Sequence, residues 1–111
     1  MHEGNRSIDR VGDATDPDLL ATAVDALRLI AEPTRLQLLW RLRDDELDVS
    51  TLAEQVGATP TAVSQHLAKL KLAGLVAARR DGRHVRYRLL DDHVLGLVAE
   101  ALYHAEHRLH P

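Results

Sequence analysis

The apolar residues of this chain recur at helical spacing, and the first two segments with that spacing are separated only by a proline break. Asp16 and Pro17 begin the first predicted helix, as its cap and its first turn. One face of that helix is apolar, at Leu20, Val24, Leu27 and Ala31. Pro33 ends this helix and opens a second one over residues 33–45. The side chains expected to point inward there are Leu36, Leu39 and Trp40.

Two shorter helices follow, separated by a tight turn. Ser50 is expected to cap the third helix, which ends at Gly57. Thr59 and Pro60 begin the fourth helix immediately, and Gly74 ends it. The inward side chains of the fourth helix are expected to be Val63, Leu67 and Leu70. A helix, a tight turn and a second helix form the arrangement of a helix-turn-helix unit.

The period then changes from helical to alternating, which predicts a β-hairpin. Asp81-Gly82 is a strong turn signal between alternating flanks. The two predicted faces carry Val76, Ala78, Val85, Tyr87 and Leu89 on one side and Ala77, Arg79, His84, Arg86 and Arg88 on the other. A last helix is predicted from about residue 92 to about residue 108. The fold class is therefore mainly α with a β-hairpin wing (α+β), a winged helix-turn-helix in the order α-α-α-α-β-β-α.

The remaining residues bear on domain organisation. Residues 1–15 are polar and without period, so we expect a mobile N-terminal tail. Residues 16–111 then form one domain, for which this length suffices. The chain has no apolar run of membrane-spanning length and no signal-peptide pattern in its first thirty residues. It also has no cysteine. We expect a cytoplasmic protein with no membrane partner.

Charge is distributed unevenly, although the net charge is only −3. Residues 1–58 carry 6 basic and 12 acidic side chains, and residues 91–111 carry 1 basic and 4 acidic. The intervening residues 59–90 carry 7 basic side chains and 1 acidic. A basic block within an acidic chain is typical of a phosphate-binding surface. The alternative is a solvated face with no ligand.

The basic block coincides with the fourth helix and the hairpin, the two elements that contact DNA in a winged helix-turn-helix. Short polar side chains can reach base edges, and lysine and arginine can reach phosphates. The candidate DNA-binding residues are Thr61, Ser64, Gln65, His66, Lys69 and Lys71 on the helix and Arg79, Arg83, Arg86 and Arg88 on the wing. The alternative is a helical hairpin beside a solvated β-hairpin. We expect double-stranded operator DNA as the partner.

Three stretches, "LIAEPTRLQLLWRL", "VSTLAEQVGATPTAVSQHLAKLKLAGLV" and "DGRHVRYRL", resemble the ArsR/SmtB family of metal-sensing bacterial repressors. The likeness covers about residues 18–108. It implies a homodimer in which the first and last helices form the interface, so that residues 16–111 serve both DNA binding and dimerisation.

The predicted last helix, "DDHVLGLVAEALYHAEHRLH", carries histidines at both ends. His93 and His104 are eleven residues apart and share a face. They lie roughly 16 Å apart along the axis, too far for one metal ion to bind both. Asp91 and His93 can converge at one end, and His104 and His107 at the other. Each helix therefore carries two half-sites, which an antiparallel copy of the helix would complete.

The same pattern, Asp-x-His followed by His-x-x-His, is similar to the inter-subunit metal site that the family carries on its last helix. The residues expected to form an apolar seam between the two sites are Leu95, Val98, Leu102, Ala105 and Leu109. Simpler roles compete with ligation. Asp91 could cap the helix, and His107 could complement the negative charge at the helix C-terminus.

The nature of the donors limits the choice of metal. Many relatives carry Cys-x-Cys on the third helix, where this chain has Asp48 and Ser50. Imidazole and carboxylate donors suit Ni(II), Zn(II) or Co(II) rather than thiophilic metals. Four such donors satisfy zinc, whereas nickel and cobalt often need more. The candidates for extra donors are His2, His110 and Glu106. "ALYHAEH" with a histidine near the N-terminus resembles the nickel/cobalt-sensing branch, so nickel is preferred, with zinc or cobalt as alternatives.

These observations predict a metal-responsive repressor that leaves its operator on binding nickel. The alternative is a transcription factor whose operator binding is metal-independent or partner-dependent, with a structural metal site. A small metallo-hydrolase is the third interpretation. It is disfavoured because the chain has no HExxH motif and little room for a substrate pocket. We expect no enzymatic activity and no small-molecule substrate.

Overall fold

A computed structural model describes residue 12 and residues 15–111. Most of the predicted N-terminal tail, including His2, therefore lies outside the described residues. The helices are α1 (Pro17–Ile30), α2 (Pro33–Arg41), α3 (Val49–Val56), α4 (Pro60–Leu72) and α5 (Asp92–Leu109). The strands are β1 (Leu47–Asp48), β2 (Val76–Asp81) and β3 (His84–Leu89). The predicted winged helix-turn-helix class is confirmed.

The helices begin at side chains that accept hydrogen bonds from the first free backbone N–H groups. Asp16 accepts from Asp18 at 2.9 Å, and Thr59 accepts from Ala62 at 3.1 Å. Both caps were predicted. The cap of α2 is the carboxylate of Glu32, which was predicted only as part of the break before that helix.

The predicted cap of α3 is wrong. Asp48, not Ser50, caps this helix, and its Oδ1 accepts from the N–H of Thr51 at 2.9 Å. Asp48 is in extended conformation and Val49 is already helical, so Ser50 lies inside the first turn. Either residue type can cap a helix, and the carboxylate precedes the hydroxyl along the chain.

The predicted order of elements lacks one strand. Leu47 pairs with Tyr87 and Asp48 with Arg86, which makes β1 the third strand of an antiparallel sheet in the order β1-β3-β2. The observed order is therefore α-α-β-α-α-β-β-α. Two residues are too short a segment to show the alternation that identifies a strand.

The hairpin turn also differs from the prediction by one position. Asp81 pairs with His84, so the turn consists of Gly82 and Arg83 rather than Asp81 and Gly82. Gly82 has a φ of 62°, the positive value that a type II′ turn needs at its first central residue. The register differs from the predicted one by two residues. Since side chains alternate with period two, both predicted faces are nevertheless preserved.

The core lies between α2, α3, α4, the sheet and the first half of α5. The buried apolar side chains are Ile30, Leu38, Leu39, Leu42, Leu52, Ala53, Val63, Leu67, Leu70, Leu75, Val76, Val94 and Val98. The three inward residues predicted for α4 are all among them. On α2, Leu39 is buried as predicted, whereas Leu36 and Trp40 pack only at the edge of the core. This packing fixes α4 relative to the wing.

The apolar face predicted for α1 points away from this core. Leu27 is 51% exposed, and Leu20 and Val24 are also exposed, whereas Ile30 is the buried residue of this helix. On α5, Leu97 is 46% exposed. The first and last helices thus carry apolar side chains that the single protomer leaves uncovered. No helix within the described ranges is long and apolar enough to cross a bilayer.

Candidate nucleic-acid interface and metal-ligand positions

The second helix of the helix-turn-helix, α4, presents one face to the core and the opposite face to solvent. The exposed side chains are Thr61, Ser64, Gln65, Ala68 and Lys69, as the helical period predicts. The preceding turn is tight because Gly57 adopts a left-handed conformation, with a φ of 69°. Its N–H donates to the carbonyl of Ala53 at 3.0 Å, which closes α3 just before α4 begins.

His66 does not belong to this exposed face. Its Nδ1 lies 3.2 Å from Nη1 of Arg35 on α2 and 4.0 Å from Oε1 of Glu32. Its side chain is only 22% exposed. The structure thus places His66, one of the predicted DNA-binding residues, in a contact between α4 and α2.

Glu32 and Arg35 form the other half of this contact. The backbone N–H of Arg35 donates to Oε1 of Glu32 at 2.8 Å, and this hydrogen bond is the main cause that lowers the pKa of the Glu32 carboxyl. The Nε of Arg35 donates to the carbonyl of Leu29 at 2.6 Å. The guanidinium of Arg35, a residue of α2, therefore contacts both α4 and the last turn of α1.

Three arginines of the wing are paired with acids of the same chain. Glu46 lies 2.7 Å from Nη2 of Arg79 and 3.9 Å from Nε of Arg88. Asp81 accepts from Nε of Arg86 at 2.7 Å. The hydrogen bond from Arg79 is the main cause that lowers the pKa of Glu46, and the bond from Arg86 does the same for Asp81. These cations are already partly neutralised within the protomer.

The remaining basic side chains of this surface have no acidic partner among the described residues. They are Lys69 and Lys71 on α4 and Arg80 and Arg83 on the wing, and all four are exposed. The sequence predicted Lys69, Lys71 and Arg83 as DNA-binding residues. Arg80 belonged to the predicted basic block but not to the predicted DNA-binding set. The observed register of the hairpin pairs Arg80 with Val85, close to the turn. This position makes Arg80 a further candidate for DNA binding.

A cleft of about 310 Å³ lies between the wing turn and the helix-turn-helix. Its lining includes Ser50 and Ser64, together with Arg83, His84 and Asp48. It thus lies where α3, α4 and the wing turn meet.

On α5, the residue that opens the helix has a structural role. Oδ1 of Asp91 accepts from the N–H of Val94 at 3.2 Å, so Asp91 is the N-cap of this helix. The simpler role considered for this residue is therefore present. A cap uses one carboxylate oxygen, and the other can still bind a metal ion. His93 lies next to this cap and is exposed.

The opposite end of α5 carries His104, Glu106, His107 and His110, all exposed. His110 terminates the helix, and its N–H donates to the carbonyl of Glu106 at 2.9 Å. Within the described part of one protomer, no three His, Asp or Glu side chains are close enough to hold a metal ion together. The four predicted metal ligands stand as two separate pairs at the two ends of the helix.

The apolar seam expected between these pairs is partly wrong. Val98 is fully buried in the core of its own protomer, and Leu102 packs against that core. Because 3.6 residues complete one helical turn, Leu97 lies on the same stripe as His93 and His104, whereas Val98 lies about 100° further round. The exposed leucine on the stripe between the two pairs is therefore Leu97.

Comparison with known proteins extends this picture. Residues 32–78 match the family described as "Bacterial regulatory protein, arsR family". The chain is 48% identical over 95 residues to the HTH-type transcriptional regulator KmtR of Mycobacterium tuberculosis, covering 86% of this chain and 73% of that one. It is 39% identical over 107 residues to the HTH-type transcriptional regulator NmtR of the same organism, covering 96% and 89%.

Solved structures agree with these sequence matches. A homodimeric winged helix-turn-helix DNA-binding domain from Mycobacterium bovis aligns with a TM-score of 0.79 and 32% identity, over 87% of this chain and 90% of that one. Fold, exposed recognition helix and relatives define a DNA-binding transcriptional regulator. The chain belongs to the ArsR family of bacterial regulatory proteins, and its predicted resemblance to the metal-sensing ArsR/SmtB regulators is confirmed.

Proposed function

We propose that this regulator is a homodimeric repressor that leaves its operator when nickel binds between the α5 helices of its two protomers. One observation carries the proposal. Metal-donor pairs stand exposed at the two ends of α5, too far apart for one helix to use both, with the exposed Leu97 between them.

The donors fit a metal of intermediate hardness. Asp91 and His93 at one end and His104 and His107 at the other would supply one carboxylate and three imidazoles. The sequence contains no cysteine to compete for the ion. His2, Glu106 and His110 are further candidate donors, which favours nickel or cobalt over zinc. We favour nickel because of the resemblance to the nickel/cobalt-sensing branch, with zinc or cobalt as alternatives. A bound divalent ion would supply Lewis acidity and a fixed set of ligand directions.

The dimer would bury the uncovered apolar faces of α1 and α5. Leu20, Val24 and Leu27 on α1 and Leu97 on α5 are exposed in the protomer. Two copies related by a two-fold axis would bring each helix against its equivalent. An antiparallel pair of α5 helices would set the Asp91 end of one protomer beside the His104 end of the other. The homodimeric relative supports this assembly.

The two protomers would read the operator with their α4 helices about one DNA turn apart. Donors from both protomers that share one ion restrict the relative placement of the α5 helices, which pack on the same core as α4. If that placement disfavours the α4 spacing that DNA needs, ion and operator weaken each other's binding. A coupling of a few kcal/mol would then suffice for release.

The alternative, a regulator that binds its operator whether or not metal is present, keeps the same DNA surface and assigns the α5 donors a structural role. Since the family consists of transcriptional regulators, we assign no enzymatic activity and no small-molecule substrate. Its ligand is chromosomal DNA, so we place it in the cytoplasm.

The test is operator binding with and without nickel, measured by fluorescence anisotropy on a duplex from the protein's own promoter. The variants are His104→Ala and Asp91→Asn, because asparagine keeps the helix cap but removes the carboxylate charge. The neighbouring acid provides the control Asp92→Asn. We expect nickel to weaken DNA binding by wild type and control at least tenfold, and by the two variants much less.

Two results would contradict the proposal. Equal affinity of the wild-type protein with and without nickel, zinc or cobalt would favour the metal-independent alternative. Loss of DNA binding by metal-free His104→Ala would mean that this residue acts in DNA binding rather than in the metal response.

A further inference from the structure

The cleft between the wing turn and the helix-turn-helix combines groups of complementary chemistry from three elements. Ser50 comes from the first turn of α3, Ser64 from the exposed face of α4, and Arg83 from the turn of the wing. Two hydroxyls and a guanidinium provide hydrogen-bond donors and one full positive charge. This set suits a phosphate oxygen, and the cleft opens beside the helix that reads DNA.

The one acid in the cleft is already engaged. Oδ1 of Asp48 accepts from the N–H of Thr51, and Oδ2 lies 3.5 Å from Nδ1 of His84. The Asp48 side chain is only 18% exposed. Hydrogen bonds from Thr51 are the main cause that lowers the pKa of the Asp48 carboxyl, and His84 contributes further. The Asp48 carboxylate therefore interacts with the N-terminus of α3 and with the imidazole of His84. Arg83 has no acidic partner in the described ranges.

The other arginines of the wing differ from Arg83 in this respect. Arg79 and Arg88 contact Glu46, and Arg86 contacts Asp81. A phosphate that drew either Glu46 partner away would leave a carboxylate near the DNA backbone without its counter-charge, which opposes binding. Arg83 carries no such cost, and it lines the cleft from the wing turn.

We propose that this cleft binds one phosphodiester of the operator backbone, with Ser50, Ser64 and Arg83 as its ligands and His84 retained as the partner of Asp48. Arg79, Arg86 and Arg88 then stabilise the sheet rather than contact phosphate. The proposal rests on the DNA-binding part of the proposed function and is independent of the metal response.

The test compares Arg83→Gln and Ser50→Ala with the wild-type full-length protein, all metal-free. Arg41→Gln, on α2 and outside the cleft, removes the same charge and serves as the control. Anisotropy is measured on the promoter duplex over a series of KCl concentrations. We expect Arg83→Gln to lower the salt dependence of log K by about one per protomer. We expect Ser50→Ala to weaken binding a few-fold without changing that slope.

A second arm identifies the phosphate as part of DNA. Promoter duplexes with single methylphosphonate substitutions remove one backbone charge at a time. When the substituted phosphate is the contacted one, the wild-type protein should bind the duplex less tightly than the unsubstituted duplex. Arg83→Gln already lacks this contact, so its affinity should differ little between the two duplexes. Inorganic phosphate should displace DNA no better than chloride of equal ionic strength. Saturable displacement by inorganic phosphate would instead make this a free-anion site and overturn the proposal.

An unchanged salt slope in Arg83→Gln would also overturn it. Failure of the proposed function is a separate result. If nickel does not change the operator affinity of the wild-type protein, the proposed metal switch is contradicted. The cleft is tested entirely on metal-free protein, so that result does not affect it.

Discussion

The guanidinium of Arg35 lies 3.2 Å from the imidazole of His66, a residue 31 positions later in the chain, and also holds the carbonyl of Leu29 at 2.6 Å. These contacts join the last turn of α1, the first turn of α2 and the middle of α4. The recognition helix is thus tied through one side chain to the helix whose apolar face we assign to the dimer. The contact is partly buried, so solvent screens it less than it screens the ion pairs of the wing.

This contact predicts a loss of stability when Arg35 is replaced. Arg35→Met keeps much of the side-chain volume but loses every donor, and we expect the free energy of unfolding to fall by about 1–3 kcal/mol. Urea denaturation measures this loss. Arg41→Met, an exposed arginine on the same helix, is the control and should change the free energy by less than about 0.5 kcal/mol.

A double-mutant cycle with His66→Ala isolates the pair. If the two side chains interact as their distance indicates, the combined variant should be less destabilised than the sum of the single variants by about 0.5–1.5 kcal/mol. Additive losses would mean that Arg35 acts only through Leu29 and its own helix.

The sequence predicted most of α4 correctly because burial alone decides which residues face inward. Val63, Leu67 and Leu70 recur at helical spacing, so the opposite face follows from geometry. His66 lies on the flank between those faces, where the helical period gives no answer. Its role depends on Arg35, and a contact between two helices distant in sequence leaves no local pattern.

The wing arginines show a second limit of the sequence. Their number and alternation predicted a basic hairpin correctly. However, Glu46 and Asp81 neutralise three of them, and Glu46 comes near the wing only because β1 pairs with β3. A two-residue strand carries no readable period, so this pairing was missed, and with it the distinction between paired arginines and Arg83.

The ion pair of Glu46 with Arg79 also predicts how the free energy of unfolding depends on pH. Because Arg79 lowers the pKa of Glu46 in the folded protein, Glu46 stabilises the fold fully above its unfolded pKa of about 4.3. That contribution disappears as the pH falls through the lower folded value. The free energy of unfolding should therefore exceed that of Glu46→Gln by a constant amount near neutral pH, and the difference should shrink below about pH 4.3.

Thermal or urea unfolding at a series of pH values measures this difference. Glu54→Gln on α3, an exposed acid with no ion pair among the described residues, is the control and should follow the wild-type curve. A difference between wild type and Glu46→Gln that grew on acidification would contradict the assignment, since it would require a carboxyl whose folded pKa is raised.

The last prediction concerns the uncovered faces of α1 and α5. Leu97 is 46% exposed, yet it lies between the two donor pairs, and Leu27 on α1 is 51% exposed. A glutamate at either position would bring like charges together across a two-fold interface and remove apolar burial. We expect Leu97→Glu to weaken dimerisation at least tenfold, or by more than about 1.4 kcal/mol.

Sedimentation velocity over a range of protein concentrations measures the dimer directly. Leu90 is exposed to a similar degree, at 45%, but it lies between β3 and α5 rather than on either helix, so Leu90→Glu is the matched control. The Leu97 variant should keep the wild-type helical circular dichroism, because its side chain is outside the buried core. It should also lose the nickel response, since each site would need donors from two protomers. If Leu97→Glu left the dimer intact and Leu90→Glu dissociated it, the interface would lie elsewhere. The donor pairs of the two protomers would then not come together in the dimer.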